Sequence, residues 1–354
     1  MSFNITPSNY RDHHSLAHEM GNLWENNGWM VWDRTGGEDI LLWASPYRLF
    51  GGQPGGPYAL GDVALSQTLL VRAATPAPGQ AAMRDNPFLC VGYDLGDHLP
   101  AQAIQVDIDA SRARWQVGNR QVIARPPQWS LHGEHAGVGL DLSMQAMGPG
   151  FWFTDPQARV EETEEQWFVA CARAKGVIDV QGERIPISGF ASHERHVHCG
   201  VRYNPVKTLS ARGVTWHGGG AGDTQIIFLS RPSLGLAWCR LVHQDQVLDF
   251  SAPEHRYAID ETEFWVDPQS RLQIPCAWRS TFEGPSGQVV VRARAHARAY
   301  YLWPHYKHGC TVLYWWLAQA NVQIRARNGL SLEIEDMQYI VHDNRLLYRQ
   351  HRND

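Results

Sequence analysis

The sequence lacks the cysteine pairs that mark a structural zinc site or a disulfide scaffold. Its six cysteines stand at wide intervals with no C-x-x-C pair, so we expect reduced thiols, most of them in the core. No cysteine has neighbours that single it out as a nucleophile, although Cys199 lies beside a histidine cluster and stays a candidate.

Long apolar runs and runs of one charge are also missing. The first residues, M-S-F-N-I-T-P-S-N-Y, have neither a basic leader nor an apolar core of the signal-peptide type. No later run reaches the length of about 18 apolar residues that a membrane helix needs. We therefore expect no integral membrane segment and a soluble, cytoplasmic protein. The net charge is −5 with the signs interspersed, and without a basic stripe nucleic acid is not an expected partner.

Helix signals are scarce, and most of the chain is typical of β-strands. Only residues 15–24 form a helix pattern, which Ser15 can cap. Short segments rich in Val, Ile, Trp and Tyr, separated by turn residues, predict strands at 103–108, 114–123, 166–172, 176–180, 225–229, 236–243, 288–295, 311–316, 321–326 and 332–334. The pattern predicts an all-β protein, and 354 residues exceed what one hydrophobic core usually serves. Closed antiparallel barrels or sandwiches are the expected architecture.

One glycine-rich segment, H-G-G-G-A-G-D at residues 217–223, is a weak match to a phosphate-binding loop. It lacks the G-K-[ST] ending, and the strand predicted from residue 225 favours a β-turn. A bare backbone of this kind can also approach a ligand or another strand.

The densest group of titratable residues lies in residues 182–200, which read G-E-R-I-P-I-S-G-F-A-S-H-E-R-H-V-H-C-G. Because side chains alternate along a strand, the group should divide between two faces. One face would carry Ser192, Glu194, His196 and His198, and the other His193, Arg195 and Cys199. Titratable groups are costly to bury, so they either lie in water or line a site whose chemistry needs them.

Several segments resemble the lipocalin-like superfamily that includes the AttH-type proteins, carotenoid 1,2-hydratases and fungal Diels–Alderases. The segments are W-Q-V-G-N-R with Q-W-S-L-H-G and L-D-L-S-M in 114–144, A-K-G-V-I-D-V-Q-G-E-R-I-P-I-S-G before 190, F-W-x-x-P-x-S-x-L-Q-I-P-x-x-W in 263–278, and Y-W-W at 314–316. The chain departs from the family pattern at Ser192, where an acidic residue is usual, and near Leu317 and Ala318, where a Glu-Gly pair is expected.

The resemblance implies two lipocalin-like barrels, residues 1–200 and 201–354, with a ligand pocket between or within them. It also implies an enzyme that needs no cofactor and acts by proton transfer on a hydrophobic small molecule, terpenoid or polyketide-like, as a hydratase, isomerase or cyclase. His193 and Glu194 are the candidate general acid and base, and His196 would orient or share the proton. Arg195 would anchor a substrate oxygen or neutralise Glu194.

The unusual load of 15 tryptophans favours a flat or greasy ligand. Each of the following can be a core residue or a wall residue whose face stabilises a developing cation: Trp265, Trp278, Tyr314, Trp315 and Trp316.

Two alternatives stay open. Glu194, His196 and His198 can hold Zn²⁺ or Fe²⁺ in a metal-dependent enzyme. The three positions span about 13 Å along a strand, so a ligand from elsewhere, such as His217 or His243, would be needed. The second alternative is a protein that binds an apolar ligand without converting it. The sequence gives no signal for the oligomeric state.

Overall fold

The protein is built almost entirely from two antiparallel β-sheets, which confirms the predicted all-β class. A computed structural model describes residues 4–50, 62–83, 99–199, 215–231, 235–251, 253–305 and 309–347. Within these ranges there are two short α-helices, α1 (His14–Met20) and α2 (Val160–Thr163). No helix of the described residues is long and apolar enough to cross a membrane.

The first sheet has 12 strands in the order β4-β3-β2-β1-β12-β11-β9-β8-β7-β6-β5, and β10 pairs with β11 off this path. Its strands are β1 (Leu23–Thr35), β2 (Glu38–Phe50), β3 (Asp62–Ala74), β4 (Leu99–Pro100), β5 (Ile104–Ile108), β6 (Ala113–Val117), β7 (Arg120–Arg125), β8 (Gln128–His135), β9 (Val138–Ala146), β10 (Phe151–Trp152), β11 (Glu165–Val180) and β12 (Glu183–Cys199).

The second sheet has nine strands in the order β16-β15-β14-β13-β21-β20-β19-β18-β17. Its strands are β13 (Thr215–Ala221), β14 (Thr224–Arg231), β15 (Leu236–His243), β16 (Gln246–Ser251), β17 (Arg256–Val266), β18 (Gln273–Gly284), β19 (Gly287–His305), β20 (Gly309–Ala326) and β21 (Ser331–Leu347). The domain boundary predicted at residue 200 lies in residues 200–214, outside the described residues, and stays a prediction.

Three apolar clusters explain why so many tryptophans are needed. One fills the first curled sheet around Trp29 and Trp115, and another fills the second sheet around Trp278 and Trp316. The third lies where the two sheets meet and joins Trp32, Trp43 and Trp167 of the first to Trp216, Trp238 and Trp315 of the second. Strands β1 and β2 contribute to both the first and the third cluster, so they are buried on both faces.

The N-terminal segment inserts a side chain into the first barrel-like sheet. Tyr10 is fully buried there. Trp115 donates its indole N–H to the Tyr10 carbonyl at 2.7 Å, and Trp129 donates to the Tyr10 hydroxyl at 2.7 Å. Because both indoles belong to the core of this sheet, the hydrogen bonds fix the segment before α1 against the interior of the sheet.

Two local predictions were correct only in part. The N-terminal helix ends at Met20 instead of residue 24, because Gly21 adopts the left-handed conformation at φ 81° and β1 starts at Leu23. Residues 217–221 of the glycine segment belong to strand β13, and Gly222 and Asp223 form the turn that follows it. A Cβ on Gly220 would lie 2.2 Å from the Phe190 ring, so the bare backbone serves close packing against a neighbouring ring.

Candidate functional site

Strand β12 buries the titratable cluster and divides it between two environments. Every residue from Ser192 to Cys199 is buried. The odd-numbered side chains His193 and Arg195 point into the first sheet, while Glu194 and His196 point to the opposite face, beside aromatic residues of the cluster between the sheets. The predicted alternation is therefore present, and it separates His193 from the other two catalytic candidates.

His193 lies in a closed hydrogen-bond network in the core. Its Nδ1 lies 3.0 Å from the Gly28 carbonyl, and its Nε2 lies 2.9 Å from the Tyr10 hydroxyl. The carbonyl must accept, so Nδ1–H donates and Nε2 accepts from Tyr10. Burial lowers the pKa of His193 to about 3, against the opposing effect of the Gly28 hydrogen bond. The ring is therefore neutral at physiological pH, and the catalytic role predicted for it stays a prediction.

Arg195 also belongs to the first sheet, and it pairs with Glu25 instead of Glu194. Its guanidinium lies 3.3 Å from the Glu25 carboxylate and donates to the backbone carbonyls of Arg11 and Asn26. Burial works to raise the pKa of Glu25, but the interactions with His13 and Arg195 outweigh this effect and lower the pKa to about 2. This buried ion pair ties the N-terminal segment to β1 and β12.

The opposite face of β12 brings five side chains together, which we call the interface cluster: Glu165, Glu194, His196, His198 and Arg231. His196 Nε2 lies 2.9 Å from Glu165 Oε1, and its Nδ1 lies 3.2 Å from Glu194 Oε1. The Nδ1 contact is close enough for a hydrogen bond but is not aligned for one. His196 thus connects two carboxylates.

Burial and neighbouring charged groups determine the protonation states of Glu165 and His198 in the interface cluster. Arg231 donates to Glu165 Oε1 at 2.7 Å, and His198 Nε2 lies 3.5 Å from the same oxygen. Burial works to raise the pKa of Glu165, but His198, His196 and Arg231 together hold it well below its usual range. Burial also lowers the pKa of His198 well below that of a free histidine, helped by the neighbouring His196. Glu165 is therefore ionised and His198 neutral near pH 7.

Aromatic rings surround the histidines of the interface cluster. The Trp167 ring stacks on His196 with centroids 4.3 Å apart, and Trp24 lies edge-on at 4.9 Å. Arg231 lies over the Trp167 ring at 5.4 Å. The side chains of Glu165 and Glu194 are 23% and 12% exposed, so both carboxylates reach water from this aromatic setting.

The predicted wall residues lie mostly elsewhere. Of the five, Trp315 is in the cluster between the sheets, where it stacks with His342 at 3.8 Å. The other four line or flank the interior of the second sheet: Trp265, Trp278, Tyr314 and Trp316. Sequence reasoning missed the residues that do surround His196. Trp167 was in a predicted strand, but its pairing with His196 depends on the register of β11 against β12.

The structure groups potential metal ligands differently from the sequence prediction. Glu165, His196 and His198 have ligand atoms within 4.8 Å of one another, so Glu165 of the neighbouring strand takes the place predicted for Glu194. His217 and His243 contribute nothing here, since both lie on the second sheet and pack against other residues. Arg231 already binds the same Glu165 oxygen, and a cation there would have to displace it.

Cys199 does not have the environment of a nucleophile. Its side chain is fully buried, and burial raises the pKa of the thiol to about 12. The thiol is therefore protonated and unreactive at neutral pH. Four cysteines are free and buried, as expected for reduced core thiols: Cys171, Cys199, Cys239 and Cys276.

Comparison with solved structures finds proteins of the same architecture and very different sequence. A putative AttH protein from Nitrosomonas europaea aligns with 96% of this chain and 97% of its own, at 11% identity and a TM-score of 0.54. A structure of CghA with Sch210972 aligns with 94% of this chain and 90% of its own, at 11% identity and a TM-score of 0.55. Kievitone hydratase from Nectria haematococca aligns with 98% of this chain and 99% of its own, at 10% identity and a TM-score of 0.43.

No protein-family model and no curated protein sequence matches the chain. The likeness to the first two structures spans both sheets, and at these identities it establishes the fold alone. The chain therefore has the two-barrel, lipocalin-like fold of the superfamily that includes the AttH-type proteins, as its sequence motifs predicted.

Proposed function

We propose that the interface cluster transfers protons to or from a hydrophobic small molecule bound between the two sheets. The reaction class is that of a hydratase, isomerase or cyclase that needs no cofactor, and the substrate is terpenoid or polyketide-like. The observation that carries the proposal is the row Glu194–His196–Glu165, in which one imidazole touches two carboxylates in an aromatic setting.

Glu194 is the residue that we propose exchanges protons with the substrate. Arg231, which donates to Glu165, keeps this carboxylate ionised, so it is a poor proton donor. Its role is to orient His196 and to balance the positive charge of a protonated ring. His196 can then take a proton at one ring nitrogen and give one up at the other. This leaves Glu194 to exchange protons with the substrate, and its contact with water allows the proton to be replaced.

The aromatic neighbours fit an apolar ligand in which positive charge develops. Trp24 and Trp167 pack their rings against His196 of the acid–base row, and aromatic rings stabilise a neighbouring cation such as a protonated imidazole. The relative CghA was solved with a small molecule, Sch210972, so this fold has room for a ligand of that kind. Proton transfer by a positioned carboxylate is typically worth about 10²- to 10⁴-fold in rate.

The first experiment identifies the substrate and the reaction together. An apolar solvent extract of the producing cells is incubated in D₂O with the wild-type protein or with His196→Asn, and the compounds are compared by mass spectrometry. We expect compounds that only the wild type converts. Their products should carry one deuterium on carbon for an isomerisation or cyclisation through protonation, or the elements of D₂O for a hydration. Compounds that co-purify unchanged would instead identify a carrier.

Two substitutions test the residues. Glu194→Gln keeps the size of the side chain and removes its acid, and His196→Asn breaks the row. Each should lower turnover of that substrate by about a hundredfold or more while leaving the circular dichroism spectrum unchanged. His132→Asn is the matched control, because the His132 side chain is 43% exposed and, among the described residues, pairs with Asp141 at 3.1 Å on the opposite strand. Full activity of both site variants would refute the assignment.

A metal-dependent reaction at the same cluster predicts a different result. It rests on the closeness of Glu165, His196 and His198. If a chelator abolishes turnover of both the wild type and His18→Asn, and Zn²⁺ or Fe²⁺ restores it in both, these three residues act as ligands and the proton row is wrong. Our proposal predicts that turnover survives chelation.

A further inference from the structure

A second group of potential metal ligands lies outside the interface cluster, at the N-terminal helix. His14 and His18 are on α1, and Asp62 is the first residue of β3. Their ligand atoms all lie within 4.8 Å of one another. We call these three residues the helix-edge cluster. Neither the sequence analysis nor the proposed function gives them a role.

The positions of the two histidines follow from helix geometry. Residues four apart lie on the same face of a helix, one turn above the other. The His14 and His18 ring centroids are 6.1 Å apart. His14 Nε2 lies 3.0 and 3.2 Å from the two carboxylate oxygens of Asp62. Both rings therefore lie beside one carboxylate that comes from a different element of the chain.

An ion pair alone does not account for this arrangement. A pair between His14 and Asp62 would be complete without His18, yet His18 is held beside them. Its ring packs edge-on against Phe50 with centroids 4.5 Å apart. That contact restrains the imidazole of an otherwise exposed side chain, as the neighbours of metal-binding histidines commonly do.

We propose that the helix-edge cluster is a binding site for a divalent transition-metal ion of the zinc type. Two imidazole nitrogens and one carboxylate oxygen are ligands that Zn²⁺, Ni²⁺ and Cu²⁺ accept. His14 and Asp62 are only partly buried, with side chains 22% and 29% exposed. Water can therefore occupy the remaining coordination positions.

The strand register places this site beside the end of β12. Asp62 pairs with Phe50, Phe50 pairs with Leu23, and Leu23 pairs with Cys199. A bound ion would thus fasten α1 to the strand ends at the edge of the region that holds His198. Its role is to stabilise this end of the first sheet. The inference does not depend on the proposed chemistry of the interface cluster.

The test is a Zn²⁺ titration by calorimetry of the full-length chain without an affinity tag, since a histidine tag would bind the ion itself. His18→Asn removes one ligand at an exposed position, and Asp62→Asn removes the carboxylate charge while keeping its shape. We expect each variant to lose one binding equivalent, or to bind it at least tenfold more weakly. His132→Asn should titrate as the wild type does, because it removes an exposed histidine outside the cluster.

A second measurement distinguishes loss of the site from misfolding of the variant, and the helix-edge cluster from the interface cluster. Zn²⁺ should raise the melting temperature of the wild type and not of His18→Asn, which should match the wild type when no metal is added. If Zn²⁺ binding is lost in His198→Asn and kept in His18→Asn, the ion occupies the interface cluster and the inference is wrong. Identical titrations of the wild type and His18→Asn would overturn it equally.

Discussion

At the scale of single residues, the most informative feature is the number of buried neutral histidines. Burial lowers the pKa of His193, His217 and His342 to about 3 in each case, and that of His198 well below its usual value. The pKa of a buried carboxylate, Glu25, is also lowered, to about 2. In the unfolded chain these groups titrate near their ordinary values.

This difference predicts a loss of stability in mild acid. Between about pH 6.5 and pH 3 the unfolded chain takes up protons that the folded histidines refuse, so acid favours unfolding. Each such histidine contributes up to about 1.4 kcal/mol per pH unit. Urea unfolding at pH 7.5, 6.5 and 5.5 should give a free energy that falls modestly between the first two values, where the unfolded histidines become half protonated, and clearly more steeply between the last two. A free energy that is flat down to pH 5 would show that these rings are not buried neutral groups.

His217 offers a direct check on one of them. Neither ring nitrogen has a hydrogen-bond partner among the described residues, and the ring is enclosed by Phe228, Trp278 and Tyr339. An unpaired buried polar group costs about 1–3 kcal/mol. His217→Leu should therefore raise the free energy of unfolding at pH 7.5 and weaken its fall towards pH 5.5. A large destabilisation would mean that the ring has a partner, such as an enclosed water molecule.

At the scale of elements, alternation in sequence predicted strands well where one face of the sheet is polar. The segment predicted at 114–123 contains parts of β6 and β7, in which buried and partly exposed side chains alternate. The strands β1, β2 and β3 were missed, because they are buried on both faces and show no alternation. The predicted split of the β12 cluster into two faces was correct, since it depends only on the period of a strand. The partners Glu165 and Arg231 come from other strands, and single-sequence patterns do not give that register.

A substitution in strand β13 tests how closely β13 packs against β12. A Cβ on Gly220 would lie 2.2 Å from a ring atom of Phe190 on β12. Gly220→Ala should therefore lower the free energy of unfolding by about 1–3 kcal/mol, the usual cost of overpacking. The double variant with Phe190→Leu should recover part of the loss, because it opens the space that the methyl group needs. Equal stability of Gly220→Ala and the wild type in chemical denaturation would contradict this packing.

At the scale of the whole molecule, the two sheets form one continuous structure. The apolar cluster between them contains tryptophans from both, and Gln225 of the second sheet donates to the Ala191 carbonyl of β12 at 2.8 Å. His296 of β19 lies 3.3 Å from Asp39 of β2. The interface cluster also joins the two sheets, because the first sheet supplies four of its residues and the second supplies Arg231. The fold and the two-faced strand were predictable from the sequence, whereas the choice between the faces required the arrangement of the two sheets.

That choice is the central claim, and one kinetic comparison tests it most directly. Turnover of the substrate identified in D₂O is measured for two variants. Glu194→Gln changes the cluster between the sheets. Tyr10→Phe removes the only side-chain hydrogen bond to His193 within the described residues and leaves the His193 ring in place. Our account predicts a loss of about a hundredfold or more for Glu194→Gln and a rate within a few-fold of the wild type for Tyr10→Phe. The reverse result, with Tyr10→Phe inactive and Glu194→Gln active, would place the chemistry inside the first sheet at His193 and contradict the account.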